Sequence, residues 1–185
     1  MAAMTQTGRI AVVDEHDRFV RWEQRRTIHE QQLVHRSVHI LVFDSRARLI
    51  IQQRHRDKQT QPLHWDSSCC GHVEDSDYLG GPDEHLDEVY ASVARRELRE
   101  ELGIGARLEV LTHFAPVPGV HYEQLRLFRG FSDEAWTIQP EEVEAAKAVT
   151  RAQLDAMLTD PGVEITPSLR FFLGWLDAHD AWPAP

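Results

Sequence analysis

The sequence predicts one mixed α/β domain of the α+β type, on three observations. Two apolar, β-branched runs flank a short polar turn in VHRSVHILVF, DSRA, RLIIQQR. A long amphipathic run from His85 to Leu102 stops at Gly103. Further strand-like runs then lead to a helical pattern near the C-terminus. The 185 residues suffice for one domain, residues 1–185, with a sizeable core, and are slightly few for two.

Taken in order, RIAVVDE (Arg9 to Glu15) reads as a first strand, and the basic stretch RWEQRRTIHEQQ as helix or loop. Residues 34–54 read as a β-hairpin turning at DSRA. Polar DKQTQP precedes WDSSCCGH, followed by EDSDYLGGPDE, a loop rich in acid, glycine and proline. Gly103 suits a left-handed cap on the helix His85 to Leu102. RLEVLTHFAPV, HYEQLRLFRGF and EEVEAAKAV read as two or three strands, with a short helix near Ala152 to Leu158 after them. A last helix runs from Pro167 to Ala178, with Thr166 as N-cap and proline at the first helical position.

Composition narrows the function. Apolar residues at 42% and charged residues at 27% are ordinary globular values. No run approaches the roughly 20 apolar residues of a membrane helix, and MAAMTQTGRI lacks a signal-peptide core, so no membrane partner and a cytoplasmic location are expected. A net charge of −10 argues against a nucleic-acid polymer as partner and implies that a phosphate substrate would need metal ions. Adjacent Cys69 and Cys70 would close almost no loop, so reduced thiols are expected.

The chemistry concentrates in YASVARRELREELGI. At about 100° per residue, Ala91, Ala94, Leu98 and Leu102 form a core-facing stripe, while Glu97, Glu100 and Glu101 converge elsewhere. Such like charges cost roughly 0.5 kcal/mol unless a cation sits among them. Read on its own, the cluster is either a solvated charged face or a holder for Mg²⁺ or Mn²⁺, hard cations that take oxygen ligands.

This segment resembles the Nudix box: Glu88, seven residues, then Arg96, Glu97, Leu98, Arg99, Glu100, Glu101, Leu102, Gly103 and Ile104. The box's first glycine is replaced by Pro82, with Gly80 and Gly81 before it. The resemblance spans Val34 to about Leu176 and implies the Nudix fold, a mixed sheet sandwiched between helices. It implies that Glu97, Glu100 and Glu101 hold a divalent metal, Mg²⁺ or Mn²⁺, against a small-molecule diphosphate, with Glu100 or Glu101 as base. Arg96 would pair with Glu88 to brace the loop.

A second resemblance, to type 1 isopentenyl diphosphate isomerases, rests on Trp65 followed by Cys70, Gly71 and His72. It implies a catalytic Cys70 and a metal held by His35, His72 and Glu123, with His29 displaced by one residue from another ligand position. His121 stands where the family has a second glutamate. Two apart on a strand, His121 and Glu123 could share one ion. Arg54 and Lys58 match the family's diphosphate-binding pair. Against this, Ser168 replaces an aromatic residue, no tyrosine precedes HYE at the family's position, and the box is complete. WDSSCCGHV, RELREELGI and ITPSLRFF together look like isomerase-related Nudix hydrolases. The expectation is therefore hydrolysis of a nucleotide-type diphosphate, with isomerisation through Cys70 and Glu123 as the alternative and a non-catalytic nucleotide sensor third. Cys69 is expected in the core. The acidic loop 74–87 has three readings: solvated insertion, lid, or homodimer contact.

Overall fold

A computed structural model describes residues 8–184. The first strand is β1 (Arg9–Val13); the basic stretch after it splits into β2 (Phe19–Gln24) and α1 (Arg25–Gln31), so its first half is neither helix nor loop. Pairing explains the difference: RWEQ lies in antiparallel register with β1, Ala11 opposite Trp22 and Arg9 opposite Gln24.

The expected hairpin is β3 (His35–Phe43) and β4 (Leu49–Arg54), but its own ladder holds only Val42↔Ile50 and Phe43↔Leu49. The two strands then part. Beyond that point β6 (Cys69–His72) pairs with β3, and β5 (Trp65–Asp66) pairs with β4. All three later runs are strands: β7 (Arg107–Phe114), β8 (Glu123–Phe131) and β9 (Val143–Val149). The sheet is mixed, because β8 runs parallel to β3 over its whole length while the other named strand pairs are antiparallel. Helix α2 (Leu86–Leu102) and helix α4 (Pro167–Ala178) match the expected spans, and α3 (Arg151–Thr159) extends the expected short helix slightly. Gly103 adopts the left-handed conformation at φ 68°, and its N–H bonds the Arg99 carbonyl.

All nine residues of β3 are buried. Alternation along it divides the interior. Val38, Ile40 and Val42 meet Val93, Leu98 and Leu102 of α2, with Cys69 among them, whereas Leu41 and Phe43 meet Leu169, Phe172 and Leu176 of α4. Helices thus cover both faces, and Cys69 is a core residue as expected.

Arg36 breaks the apolar run of β3 and is fully buried. Its Nε donates to Asp17 Oδ1 at 2.7 Å, and its two Nη groups donate to Tyr78 Oη, the Pro82 and Asp17 carbonyls and Asp83 Oδ1. Five hydrogen bonds to four residues therefore tie the β1–β2 turn to the acidic loop. Asp83 also accepts the Phe19 amide at 2.9 Å. That segment is a braced wall, which removes the reading of it as a freely solvated insertion.

Candidate active site

A cavity of about 1350 Å3 opens where β3 and β4 part. Strand register brings its key groups together. His35 lies opposite Glu123 across the parallel β3–β8 pair, while Ser37 faces His72 and His39 faces Cys70 across β3–β6. Among the described residues, His35, His72 and Glu123 form the one set of three whose ligand atoms all lie within 4.8 Å of one another. The His35 and His72 rings stack with centroids 4.9 Å apart, and His29 from α1 stands edge-on to His72 at 5.1 Å.

The local bonding leaves these rings unfinished. His35 Nδ1 donates to the Leu33 carbonyl at 2.8 Å, which turns Nε2 toward Glu123 Oε1 at 3.6 Å. His35 Nε2 and both ring nitrogens of His72 are buried without a hydrogen-bond partner. Orphaned buried polar atoms of this kind are costly unless something outside the chain completes them. Burial holds the His35 and His72 pKa values down, and positive Arg25 and the neighbouring rings push His72 further. His29 falls to about 4, through burial first and then His35. The imidazoles are thus neutral, with lone pairs to offer a cation. Burial acts first to raise Glu123, and where His35, His39 and His121 carry protons they outweigh it and hold the carboxyl below the usual range. Two imidazoles and a carboxylate fit a divalent metal.

His121 does not join this set. Strand β8 starts at Glu123, and His121 sits before it in a bridge with Val117, so strand alternation does not govern the pair. Its Nδ1 accepts the Glu123 amide, and its ring lies against Phe114 and Phe171.

The box glutamates are separated by burial. Glu100 is half exposed at 52%, whereas Glu97 and Glu101 turn into the cavity wall. Glu101 accepts from Gln52 Nε2 at 2.8 Å. Glu97 lies so close over Gly71 that a Cβ there would be 2.1 Å from Glu97 Cδ; glycine is what admits the carboxylate. The expected Arg96–Glu88 pair does not form. Both lie on α2 eight residues apart, roughly 12 Å along the axis. Arg96 instead pairs with Asp77, Glu97 and Glu100, so Asp77 does the bracing.

Burial, with mutual repulsion adding to it, raises Glu97 to about 8; burial also raises Glu101 to about 7, opposed by Lys58 and Gln52. Both folded values exceed the usual 4.5, so the pair's contribution to stability is complete below that value and is lost as pH rises through 7 to 8. In metal-free protein the urea midpoint should drop between about pH 4.5 and pH 8, and Glu97→Gln should flatten that slope. A slope unchanged by the substitution would remove this assignment.

Arg54 and Lys58 line the cavity, yet each already holds a carboxylate, Asp66 and Glu142 respectively. Arg25 was missed by sequence reasoning. It lines the cavity and makes no ion pair with a carboxylate among the described residues. Its place four residues before His29, on the same helix face, is the signal that could have found it. Tyr122 and His39 also line the cavity, as does Ser168 at the start of α4.

Fold and site define the class. The NUDIX domain pattern matches residues 33–169, and the chain belongs to that family. A Deinococcus radiodurans crystal structure superposes with TM-score 0.68 at 24% identity, covering 85% of this chain and 92% of that one, which shows the fold. Among sequence relatives, the isopentenyl-diphosphate delta-isomerase of Schizosaccharomyces pombe is 30% identical over 92% of this chain and 84% of its own length. That of Serratia proteamaculans is 31% identical over 74% of this chain and 73% of its own. These relatives make the chain an enzyme of the isomerase-like branch and overturn the expectation that hydrolysis outweighs isomerisation. The complete run of box glutamates, Ser168 and the absent tyrosine, which favoured hydrolysis, do not outweigh that similarity. No helix among the described residues is long and apolar enough to cross a membrane.

Proposed function

We propose that this protein moves a carbon–carbon double bond in isopentenyl diphosphate or a close prenyl diphosphate. The observation that carries the reading is the placement of Cys70 and Glu123 on strands flanking β3, both facing one cavity beside the unfinished His35–His72–Glu123 set. Isomerisation needs one group to give a proton to the terminal alkene carbon and another to take one from the carbon nearer the diphosphate. Burial, with Asp66 and Glu101 nearby, pushes the Cys70 thiol well up, so it carries its proton. Glu123 is ionised and can receive one. Its Oε1 faces His35 at 3.6 Å and its Oε2 faces His39 at 3.9 Å, so one oxygen is available to a cation and the other to a proton. After the exchange, a proton returned from Glu123 to Cys70 restores the enzyme.

A divalent ion would be held by His35, His72 and Glu123, with imidazole donors favouring Zn²⁺ or Mn²⁺ over Mg²⁺. When bound, it would fix Glu123 and add positive charge for the diphosphate. Arg25, which makes no ion pair among the described residues, supplies further positive charge at the cavity wall.

Isopentenyl diphosphate supplied with Mn²⁺ or Zn²⁺ in deuterated water should give the internal alkene, with deuterium incorporated, by NMR. Chelation should stop the exchange. Phosphate or pyrophosphate release without double-bond migration would overturn the reading.

A further inference from the structure

Ser68 is fully buried in the short step between β5 and β6, outside every role assigned above. The chain crosses there the gap where β3 and β4 part, since Asp66 before it is paired with β4 and Cys69 after it with β3. The Ser68 amide donates to the Ile40 carbonyl at 3.0 Å. Its hydroxyl stands between the two strands: Oγ accepts the Val42 amide at 2.8 Å and donates to the Ile50 carbonyl. The hydroxyl thus acts as donor and acceptor at once.

The ladder shows what this hydroxyl replaces. The Asp44 amide donates to the Arg48 carbonyl at 3.0 Å, and Phe43 lies opposite Leu49. Antiparallel pairs alternate between bonded and non-bonded positions, so the next direct bond would join the Val42 amide to the Ile50 carbonyl. Those two groups meet through Ser68 instead. The rung is kept but widened by one oxygen, and beyond it β3 takes β6 as partner while β4 takes β5. The register that follows sets Cys70 opposite His39 and His72 opposite Ser37.

The geometry points to Ser68 as a positioning residue: its hydroxyl is the wedge at which β3 exchanges β4 for β6, and it thereby fixes where Cys70 and His72 stand on the cavity wall. Without the hydroxyl, the Val42 amide and the Ile50 carbonyl are either left unpaired in the interior or drawn together as an ordinary rung, and either outcome shifts the start of β6. Cys70 is two residues further on and His72 four, all within that one strand, so no turn intervenes to absorb the shift.

This assignment deepens the isomerase reading and rests on it for the role of the thiol, yet the two fail separately. In Ser68→Ala, kcat should fall about tenfold or more, since small misplacements near reacting groups are this costly. The dissociation constant for Mn²⁺, measured by calorimetry, should rise about tenfold as His72 moves relative to His35 and Glu123. Ser68→Gly should recover much of both, because the vacated space admits a water with the Val42 amide and the Ile50 carbonyl as its two partners. A merely structural role predicts the reverse order, since glycine removes more of the side chain than alanine and loosens the backbone. A crystal structure of Ser68→Gly should show the bridging water. Unchanged kcat and Mn²⁺ affinity in folded Ser68→Ala, or both values lower in Ser68→Gly than in Ser68→Ala, overturns the assignment. Should Ser68→Ala not fold, Ser68→Gly decides alone: a bridging water supports the wedge, and no water with Mn²⁺ affinity unchanged overturns it. Absence of isomerisation by the unmodified protein overturns the reaction alone, since Mn²⁺ affinity and the variant structure need no turnover.

Discussion

Cys70→Ala is expected to reduce double-bond isomerisation by about a thousandfold, within the range a single proton-transfer group contributes. The residue is suited to a clean test. The strand β6 is held to β3 by backbone pairing from Ser37↔His72 to Ile40↔Cys69, which an alanine leaves intact. Cys70 borders the site cavity, so the lost sulfur opens onto space that already exists. Its stability should change by less than about 1 kcal/mol, measured by urea unfolding. Cys69→Ala gives the opposite pattern. That side chain is fully buried beneath α2, so its removal should cost about 1 kcal/mol of stability and leave turnover by folded protein unchanged. NMR under saturating substrate reads both; full activity in Cys70→Ala would remove the thiol from the mechanism.

Arg36→Ala should be the most destabilising single change in the wall of the site, by about 3 kcal/mol or more. The estimate follows from what the substitution strands. Asp17, 12% exposed in its side chain, loses its cation, and the Tyr78 hydroxyl and the Asp17 and Pro82 carbonyls lose a donor. Asp83 is 48% exposed and recovers solvation, which keeps the estimate at the lower end of the range for a broken buried pair. For a domain of this size the expected fall in Tm is roughly 10 °C, read by calorimetry. Asp83→Asn, which leaves Arg36 its other partners, should cost less than half as much. Equal losses would show that the brace depends on Asp83 alone.

Much of this architecture was legible because local rules and tertiary packing agree. Gly103 ends α2 and Thr166 caps α4 as their chemistry requires, and the helix stripe Ala94, Leu98, Leu102 faces the core. The basic stretch after β1 was not legible: Arg21, Glu23 and Gln24 carry no strand pattern, and pairing with β1 imposes one. His35, His72 and Glu123 were found by resemblance, but their convergence depends on β3 pairing with β6 on one edge and β8 on the other. No spacing along the chain encodes that. His121 failed for a related reason: alternation applies within a strand, and β8 starts two residues later. Arg96 found Asp77 in place of Glu88 because contact follows distance in space, and eight residues of helix hold the expected partners apart.

The alternation along β3 constrains how this protein can vary. Odd-numbered positions present His35, Ser37 and His39 to the cavity, and even-numbered ones seat Arg36, Val38 and Ile40 on the opposite side. Deleting a single residue from the middle of the strand would exchange the two sets downstream, sending an imidazole under α2 and an aliphatic chain into the site. Length can drift in the β4–β5 connection at 55–64 or in the turn at 115–122 without that exchange. Within β3, substitutions can accumulate, but the count of residues cannot change.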